Sequence, residues 1–490
     1  MTNLRVISAA LIAALCTGCA VGPDYHRPEL AQPDRYTRAP LPTTIGHATG
    51  THDEQHLDPN AKISRTWWSV FGSPALNALV QRAFEHNPNI QSAQAALRQA
   101  QENVIAQHGA YLPSVQLGYS PSRQKNAVDT ISPTLTSGAA MYTLHTAQLN
   151  IAYAPDVFGL NRRTVESLQA QADTQRFQLE AAYLTLASNV VAAAIQESAL
   201  RAQIDATQDI IATNTRSLVI LHQQAALGGA SGLDVAAQET ALAQAQQNLP
   251  ALQKQLEQTR NLLAVLAGNP PAQGSNDDFD LTSFTLPQAL PLSLPSQLVE
   301  QRPDVRAAEA QVHAASAQVG IALANRLPQF SISGNYGGSS TRFSKMFEEG
   351  NTFWGLTGNL TQTLFDFGTL KHRQRAAEAA LEQSAAQYRG VVLTAFQNVA
   401  DTLYALDADA RTLTAATQAE TSAKKTWELT RQQLDLGFVN GLSLLTAEQA
   451  YQQARIARIQ AQAARYSDTA ALIQALGGGW QAGDAAASSP

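Results

Sequence analysis

The chain has 490 residues, a net charge of −6 and only 15% charged and 6% aromatic residues. No basic stripe is present, which argues against nucleic acid, whose phosphates need clustered Lys and Arg. The abundance of Ala and Gln indicates long helices packed on small residues rather than an aromatic-rich enzyme core.

Residues 1–18 read as a secretory signal: Arg5, an apolar run from Val6 to Leu15, then small residues. The run is too short to span a bilayer as a mature helix. The ending Cys16-Thr17-Gly18-Cys19 resembles a bacterial lipobox, with Cys16 where an aliphatic residue is usual. That resemblance implies that Cys19 is lipidated and becomes the first mature residue, and that Ala20 directs it to the outer membrane. Cleavage removes Cys16 and with it any intrachain disulfide. No apolar run of eighteen residues follows, so a membrane crossing falls to strands.

Residues 19–83 form an N-terminal segment ending in a short helix. Within it His47, His52 and His56 stand beside Asp53 and Glu54 in a stretch without periodicity. That reads as a mobile surface segment, not a metal site. From residue 84 the chain repeats itself. Residues 85–113 align without gaps to 300–328 at an offset of 215, and from the Phe-Gly pairs at 158–159 and 367–368 the offset is 209. The units cover 84–268 and 299–477, joined by a linker at 269–298 and followed by a tail at 478–490. A period this long marks a duplication, not a solenoid.

Each unit reads as helix, two strands, long helix, break, helix. Pro88 and Pro303 suit the first turn of a helix, where a missing N–H costs nothing. The strands are expected at about 114–123 and 143–156 in the first unit, and at about 329–338 and 353–365 in the second. In the last of these Trp354, Leu356, Leu360 and Leu364 alternate with Thr357, Asn359, Thr361 and Thr363. Segments of about ten residues match a tilted transmembrane strand. The proline-free runs 159–227 and 368–436 predict helices of roughly 100 Å, and helices 232–267 and 441–476 return alongside. Pro250 predicts a kink in one copy only.

Four strands cannot sit open in lipid, and closure needs about eight or more. Two, three or four chains would supply eight, twelve or sixteen.

The breaks carry matched letters: Leu227, Gly228, Gly232, Leu233 and Glu239 pair with Leu436, Gly437, Gly441, Leu442 and Glu448. A glycine ending a helix accepts the left-handed conformation without steric cost, so Gly228 and Gly437 read as hairpin turns. Gly232 and Gly441 permit the return, and Leu233 and Leu442 are exposed apolar knobs. Ser231-Gly-Leu-Asp234 reads as a capping box.

Several stretches resemble the outer-membrane efflux proteins, the TolC-like channels, and specifically their NodT-type lipoprotein branch. They are "GCAVGPDYHRP" (18–28), "WWSVFGSPALNALVQRAFEHN" (67–87), "VEQRPDVRAAEAQV" (299–312), "QTLFDFG" (362–368), "YRGVVLTAFQNVADTLYAL" (388–406) and "ALGGGW" (475–480). The resemblance implies a mainly α, internally duplicated TolC-like fold with a membrane β-barrel. Three chains would form a twelve-strand outer-membrane barrel and a twelve-helix periplasmic tunnel, selecting three from the oligomers above. It implies a passive exit duct for small molecules, with a periplasmic adaptor, an inner-membrane efflux transporter and outer-membrane lipid as partners. The tips around Gly228, Gly232, Leu233, Gly437, Gly441 and Leu442 would meet the adaptor. The positions that close relatives' tunnels are Asp234 and Ala237 here, and Ser443 and Thr446 in the second unit. Asp234 can serve as gate and cap together. "RPDVR" (302–306) reads as structural, with Pro303 starting a helix and Asp304 facing its dipole.

No HExxH, GxSxG or P-loop motif occurs, and no cofactor, metal or catalytic residue is expected. The rival readings are a poreless periplasmic coiled-coil lipoprotein scaffold and the outlet of a protein-secretion system. The scaffold leaves four alternating strands unexplained.

Overall fold

The computed structural model describes residues 20–29, 33, 35–38, 42, 44–46, 54–59, 61, 63–125, 141–274, 278–292 and 295–479. Cys19, His47, His52 and Asp53 lie outside them. The helices are α1 (Pro74–His86), α2 (Pro88–His108), α3 (Leu160–Ala226), α4 (Gly232–Leu266), α5 (Pro295–Gln301), α6 (Pro303–Ala324), α7 (Thr369–Asp435) and α8 (Gly441–Ala475). The strands are β1 (Thr44–Ile45), β2 (Gln55–Asp58), β3 (Ser114–Lys125), β4 (Met141–Tyr153), β5 (Ala289–Pro291), β6 (Gln329–Ser340) and β7 (Thr352–Thr361). The chain divides into two compact units: Met1–Pro28, Ala96–Gln175 and Ala308–Tyr388, which hold β3, β4, β6 and β7; and Glu29–Ala95, Arg176–Ala307 and Arg389–Pro490.

The first unit is built on one antiparallel sheet in the order β3-β4-β6-β7. β7 stops at Thr361, so Leu364 lies beyond the strand that its alternation suggested. The register assigns every residue a face. Val115 pairs with Ile151, Ile151 with Gly334 and Gly334 with Leu356. One step on, Leu117, Leu149, Tyr336 and Trp354 line up. With Tyr119, Phe330, Ile332 and Leu360 these make an apolar face that is open, Leu117 being 82% and Trp354 78% exposed. The other face carries Gln116, Ser120, Gln148, Asn150, Ser331, Ser333, Asn335, Thr357 and Asn359 among others, and no carboxylate or cation. β3 and β7 are the sheet's free edges.

Two aspartates turn strands into long helices. Asp156 accepts from the Asn161 and Arg162 backbone N–H at 2.9 and 2.8 Å, and Asp366 from those of Gly368 and Leu370 at 2.8 Å each. Both satisfy N–H groups that a helix start leaves orphaned.

The second unit has a continuous core. Trp67 and Phe71 from a 3₁₀ turn and Leu76 and Leu79 of α1 pack with Val190 and Ile195 of α3, Leu263 of α4, and Tyr466 and Ile473 of α8. Phe279 and Phe284 from the inter-repeat linker complete it. Each large side chain so buried contributes roughly 1.5–3 kcal/mol. Between these large residues α3 contributes Ala187, Ala194, Ala199 and Ala206 to the same core, small side chains that leave room for neighbouring helices. Glu197, fully buried, ties the linker in by accepting from Arg260 Nε at 3.3 Å and Phe279 N at 3.4 Å. Burial pushes its carboxyl up while Arg201 and Arg260 pull it back.

Three findings depart from the sequence reading. Part of the histidine-bearing segment is strand rather than mobile surface. β2 pairs antiparallel with β1 and parallel with β5, and His56 Nδ1 meets Thr44 Oγ1 at 3.0 Å. Helix α3 also holds an eighteen-residue window with mean hydropathy of 1.2, enough by length and composition to cross a membrane. That window is 44% buried, as a packed helix requires. Finally, α2 ends at His108 and runs into a 3₁₀ turn, Gly109–Tyr111.

Candidate functional site: the hairpin tips and the two-faced sheet

Both long helices end in the same turn. Gly228 has φ of +80° and Gly437 of +78°. At the first, Gly228 N–H donates to Ala225 O at 3.0 Å and Gly229 N–H to Gln224 O at 2.7 Å. At the second, Gly437 N–H donates to Leu434 O at 3.0 Å and Phe438 N–H to Gln433 O at 2.9 Å. These are two Schellman motifs with a left-handed residue one past the cap. Each tip leaves apolar side chains in solvent: Leu227 at 89% and Leu233 at 74% exposed in the first, Leu436, Phe438 and Leu442 in the second. Phe438 stands where the first copy has Gly229, so the second tip is the more apolar, a point the matched letters alone did not convey.

The gate candidates are all engaged by their own helices. Ser231 Oγ accepts from Asp234 N–H at 3.2 Å, while Asp234 Oδ2 accepts from Ser231 N–H at 3.0 Å and Oγ at 2.7 Å. This is the reciprocal capping box. The Ser231 bonds hold the Asp234 carboxyl below its usual value. In the second copy Asn440 takes the cap role, accepting from Ser443 N–H at 3.0 Å and Oγ at 2.8 Å. Thr446 Oγ1 donates to Leu442 O at 2.9 Å, folded back along its helix. Ala237 is half-buried.

Behind the second tip lies a cluster that periodicity did not reveal. Trp427 of α7 stacks on Tyr451 of α8 at 5.6 Å, with Arg431 over the indole at 6.0 Å. Glu448 is buried there. Burial pushes its carboxyl up, against the pull of Arg216 on α3 and Arg431. Its counterpart Glu239 is half exposed, 3.7 Å from His222. The two hairpins also meet through Arg455 and Asp209 at 3.0 Å, and through Gln460 and Gln203 at 3.1 Å.

Where the last helix of each repeat ends, the first begins. Asn87 Nδ2 donates to Leu266 O, the last residue of α4, at 2.9 Å. At the equivalent place Arg302 Nη1 donates to Ala475 O, the last residue of α8, at 2.9 Å. Arg302 also grips Asp304 at 3.0 and 2.7 Å. Gly268 and Gly477, at φ +80° and +94°, let the chain leave each joint. A Cβ on Gly268 would sit 2.5 Å from His86 O. This gives the "RPDVR" motif its structural work, in which Arg302 reaches across to a helix end rather than only pairing locally.

In the strand-bearing unit, the residues after Cys19 are bound beside the end of β4. Val21 N–H donates to Phe158 O at 3.2 Å, and a Cβ on Gly159 would lie 2.7 Å from Ala20. Arg163, almost wholly buried, donates to Val21 O at 3.1 Å, Gly22 O at 3.3 Å, Asp24 at 2.9 Å and Glu166 at 2.7 Å. Tyr25 stacks on His313 at 4.4 Å, and Arg27 pairs with Glu309 at 3.2 Å. The "GPDYHRP" stretch is thus a plug fitted into its own socket. Among the described residues, no three His, Cys, Asp or Glu side chains gather as a metal set.

Comparison with known proteins gives a consistent answer. The sequence model of one family, described as outer membrane efflux protein, matches residues 79–269 and 294–478. The pyoverdine export outer membrane protein OpmQ of Pseudomonas putida is 29% identical over 452 residues, covering 90% of this chain and 94% of that one. The outer membrane protein OprJ of Pseudomonas aeruginosa is 27% identical over 484 residues, with 97% and 96% covered. Among solved structures, the outer-membrane channel OprN superposes with a TM-score of 0.83 at 26% identity, covering 94% of this chain and 100% of that one.

Proposed function

This chain belongs to the outer membrane efflux protein family, and on that premise we propose that three copies form the exit duct of a tripartite efflux pump. The family places it in the outer membrane as the channel component of an efflux system, with a TolC-like fold. The observation that carries the finer reading is the two-faced sheet. An exposed apolar face needs lipid, and a face of hydroxyls and amides suits water. Two unpaired edges need partner strands. Twelve strands from three chains meet all of these requirements, with the neutral face lining the bore. A poreless scaffold has no use for such a sheet.

The helical compact unit, 29–95, 176–307 and 389–490, then supplies the periplasmic tunnel, and its paired tips receive the adaptor. Gly228 and Gly437 make the turns; Gly232, Leu233, Gly441 and Leu442 form the docking edges, with Phe438 added in the second. Asp234, Ser443 and Thr446 stand at the tunnel's closed end. Hydrogen bonding ties Asp234 and Ser443 into the helix caps and Thr446 to its own helix, and a gate built on a ring of carboxylates draws only on Asp234. Glu448, poised between Arg216 and Arg431, is the stronger candidate for holding the two hairpins in register. An inner-membrane transporter chooses the cargo; the duct passes small molecules without changing them, and pyoverdine export by OpmQ is one instance among relatives.

Cys19 carries the lipid. The lipobox-like ending at Cys16–Cys19 supports this, and Val21, two residues further on, is bonded to Phe158 just past the end of β4. Acyl chains there enter the periplasmic leaflet beside the barrel wall.

Purified protein run unheated on denaturing gels and inserted into planar bilayers tests the proposal. Heat-sensitive trimers and stable unit conductances are expected. A monomer that opens no conductance would refute it.

A further inference from the structure

The segment joining β6 to β7 holds a feature that the duct itself does not require. Residues 341–351 do not extend from the end of the hairpin; they lie back on the sheet's apolar face. Phe343 packs edge-on against Tyr119 of β3 at 5.7 Å and His145 of β4 at 6.1 Å. Those two rings are themselves stacked, with Tyr119 Oη and His145 Nδ1 2.8 Å apart. Met346 is buried, and its carbonyl lies directly over Gly338, where a Cβ would come within 2.1 Å. By register, Tyr119, His145 and Gly338 share the face of Leu117, Leu149 and Trp354.

This side of the sheet changes chemistry as it nears the hairpin end. The apolar rows from Phe330 to Gly338 cover about 27 Å along the strand. Beyond them come Arg123 and Lys125, which alternation sets on the same face of β3. The folded-back segment adds Arg342 and Lys345, with Phe343 and Phe347 exposed beside them at 62% and 60%. Glu348, 3.1 Å from Lys345, and Glu349 are the only carboxylates of the segment. Among the described residues, four permanent cations against two acids stand here in a chain of net charge −6. The described polar face at the same level carries none.

The geometry points to this collar as a binding surface for phosphate-bearing headgroups of the outer leaflet, with Phe343 and Phe347 seated at the lipid–water boundary. The inference rests on the barrel reading above, which turns the apolar face to lipid and the hairpin ends outward. Aromatic rings favour that boundary, and basic groups next to it attract anionic headgroups. Gly338 is the enabling residue, since only a missing side chain lets the segment lie flat.

The test uses the full-length protein in phosphatidylcholine vesicles containing labelled lipopolysaccharide. The lipid retained by the trimer after detergent extraction is measured, with conductance recorded from the same preparation. R342Q/K345Q and R123Q/K125Q should each retain about tenfold less lipid, from roughly fivefold per cation less some screening. G338V, which lifts the segment, should do the same. Dephosphorylated lipopolysaccharide should be retained as poorly by the wild type, and millimolar inorganic phosphate should not displace the lipid. Unchanged retention in the charge variants with normal conductance would overturn this proposal alone, as would displacement by inorganic phosphate. A wild type that neither conducts nor inserts would overturn the barrel reading and this proposal with it.

Discussion

An Asn335→Asp substitution turns the neutral bore into a measurable quantity. Asn335 lies mid-strand on the polar face, paired with Asn150 and Gly355, and aspartate matches its shape. In a trimer the change places three carboxylates at one level. Twelve strands at 4.8 Å spacing and ~40° tilt give a radius of about 12 Å. In water each charge then contributes about 0.35 kcal/mol at the axis, and three about 1 kcal/mol. At 0.01 M salt the Debye length leaves about two-thirds of this, enriching cations about threefold and depleting anions similarly. At 0.15 M only about a fifth survives, or about 1.4-fold. Reversal potentials across a potassium chloride gradient should therefore show a weakly selective wild type and a clearly cation-selective variant at low salt alone. A strongly selective wild type, or a variant unchanged at 0.01 M, would show that the polar face does not line the conduction path.

Three further outcomes follow from the helical unit. Arg302→Ala removes charge-assisted bonds to Ala475 O and to the part-exposed Asp304, and should cost about 2–4 kcal/mol in thermal unfolding; Asn87→Ala should cost about 1–2 kcal/mol. A loss of under half a kcal/mol in both would mean that the joints are not held by these side chains. Asp409 of α7 faces Asp468 and Arg465 of α8; burial first, then Asp468, pushes its carboxyl up to about 7. A raised folded pKa stabilises below the unfolded value and loses that contribution as pH rises through about 7. Heat inactivation should thus be faster at about pH 8 than at about pH 5.5, and Asp409→Asn should flatten the profile. A wild type equally stable at both would contradict the raised Asp409 carboxyl. Gly232 has open space around it whereas a Cβ on Gly441 would meet Leu221 at 3.4 Å, so Gly232→Glu is the cleaner probe of docking. Trimers should assemble and efflux should fail in cells; normal export would remove the tip from the adaptor interface.

Much of this is legible in the sequence because the signals are local. Proline-free runs bounded by matched glycines announce helices and turns, and Ser231 with Asp234 announces a cap. Alternation at 353–361 announces a strand. What stayed hidden depends on distant residues meeting. β1, β2 and β5 have two, four and three residues, too few for alternation to register. Asn87 and Arg302 share no chemistry, so their common task appears only when each is seen against its helix end. Glu239 and Glu448 share a letter but not an environment: the first is half exposed beside His222, the second buried and under the pull of Arg216 and Arg431. The sheet register was needed to place residues 341–351 on a face at all.

The two joints have a mechanical consequence for the proposed ring of three. A duplicated chain suggests six equivalent struts, but the bond at Leu266 comes from a neutral amide and the bond at Ala475 from a guanidinium already held by a carboxylate. Salt acts on the second kind and leaves the first nearly untouched. Alternate struts would therefore soften together while their neighbours stay fixed. Sixfold likeness in shape would resolve into threefold compliance, with every other joint responsive to the ionic state of the periplasm.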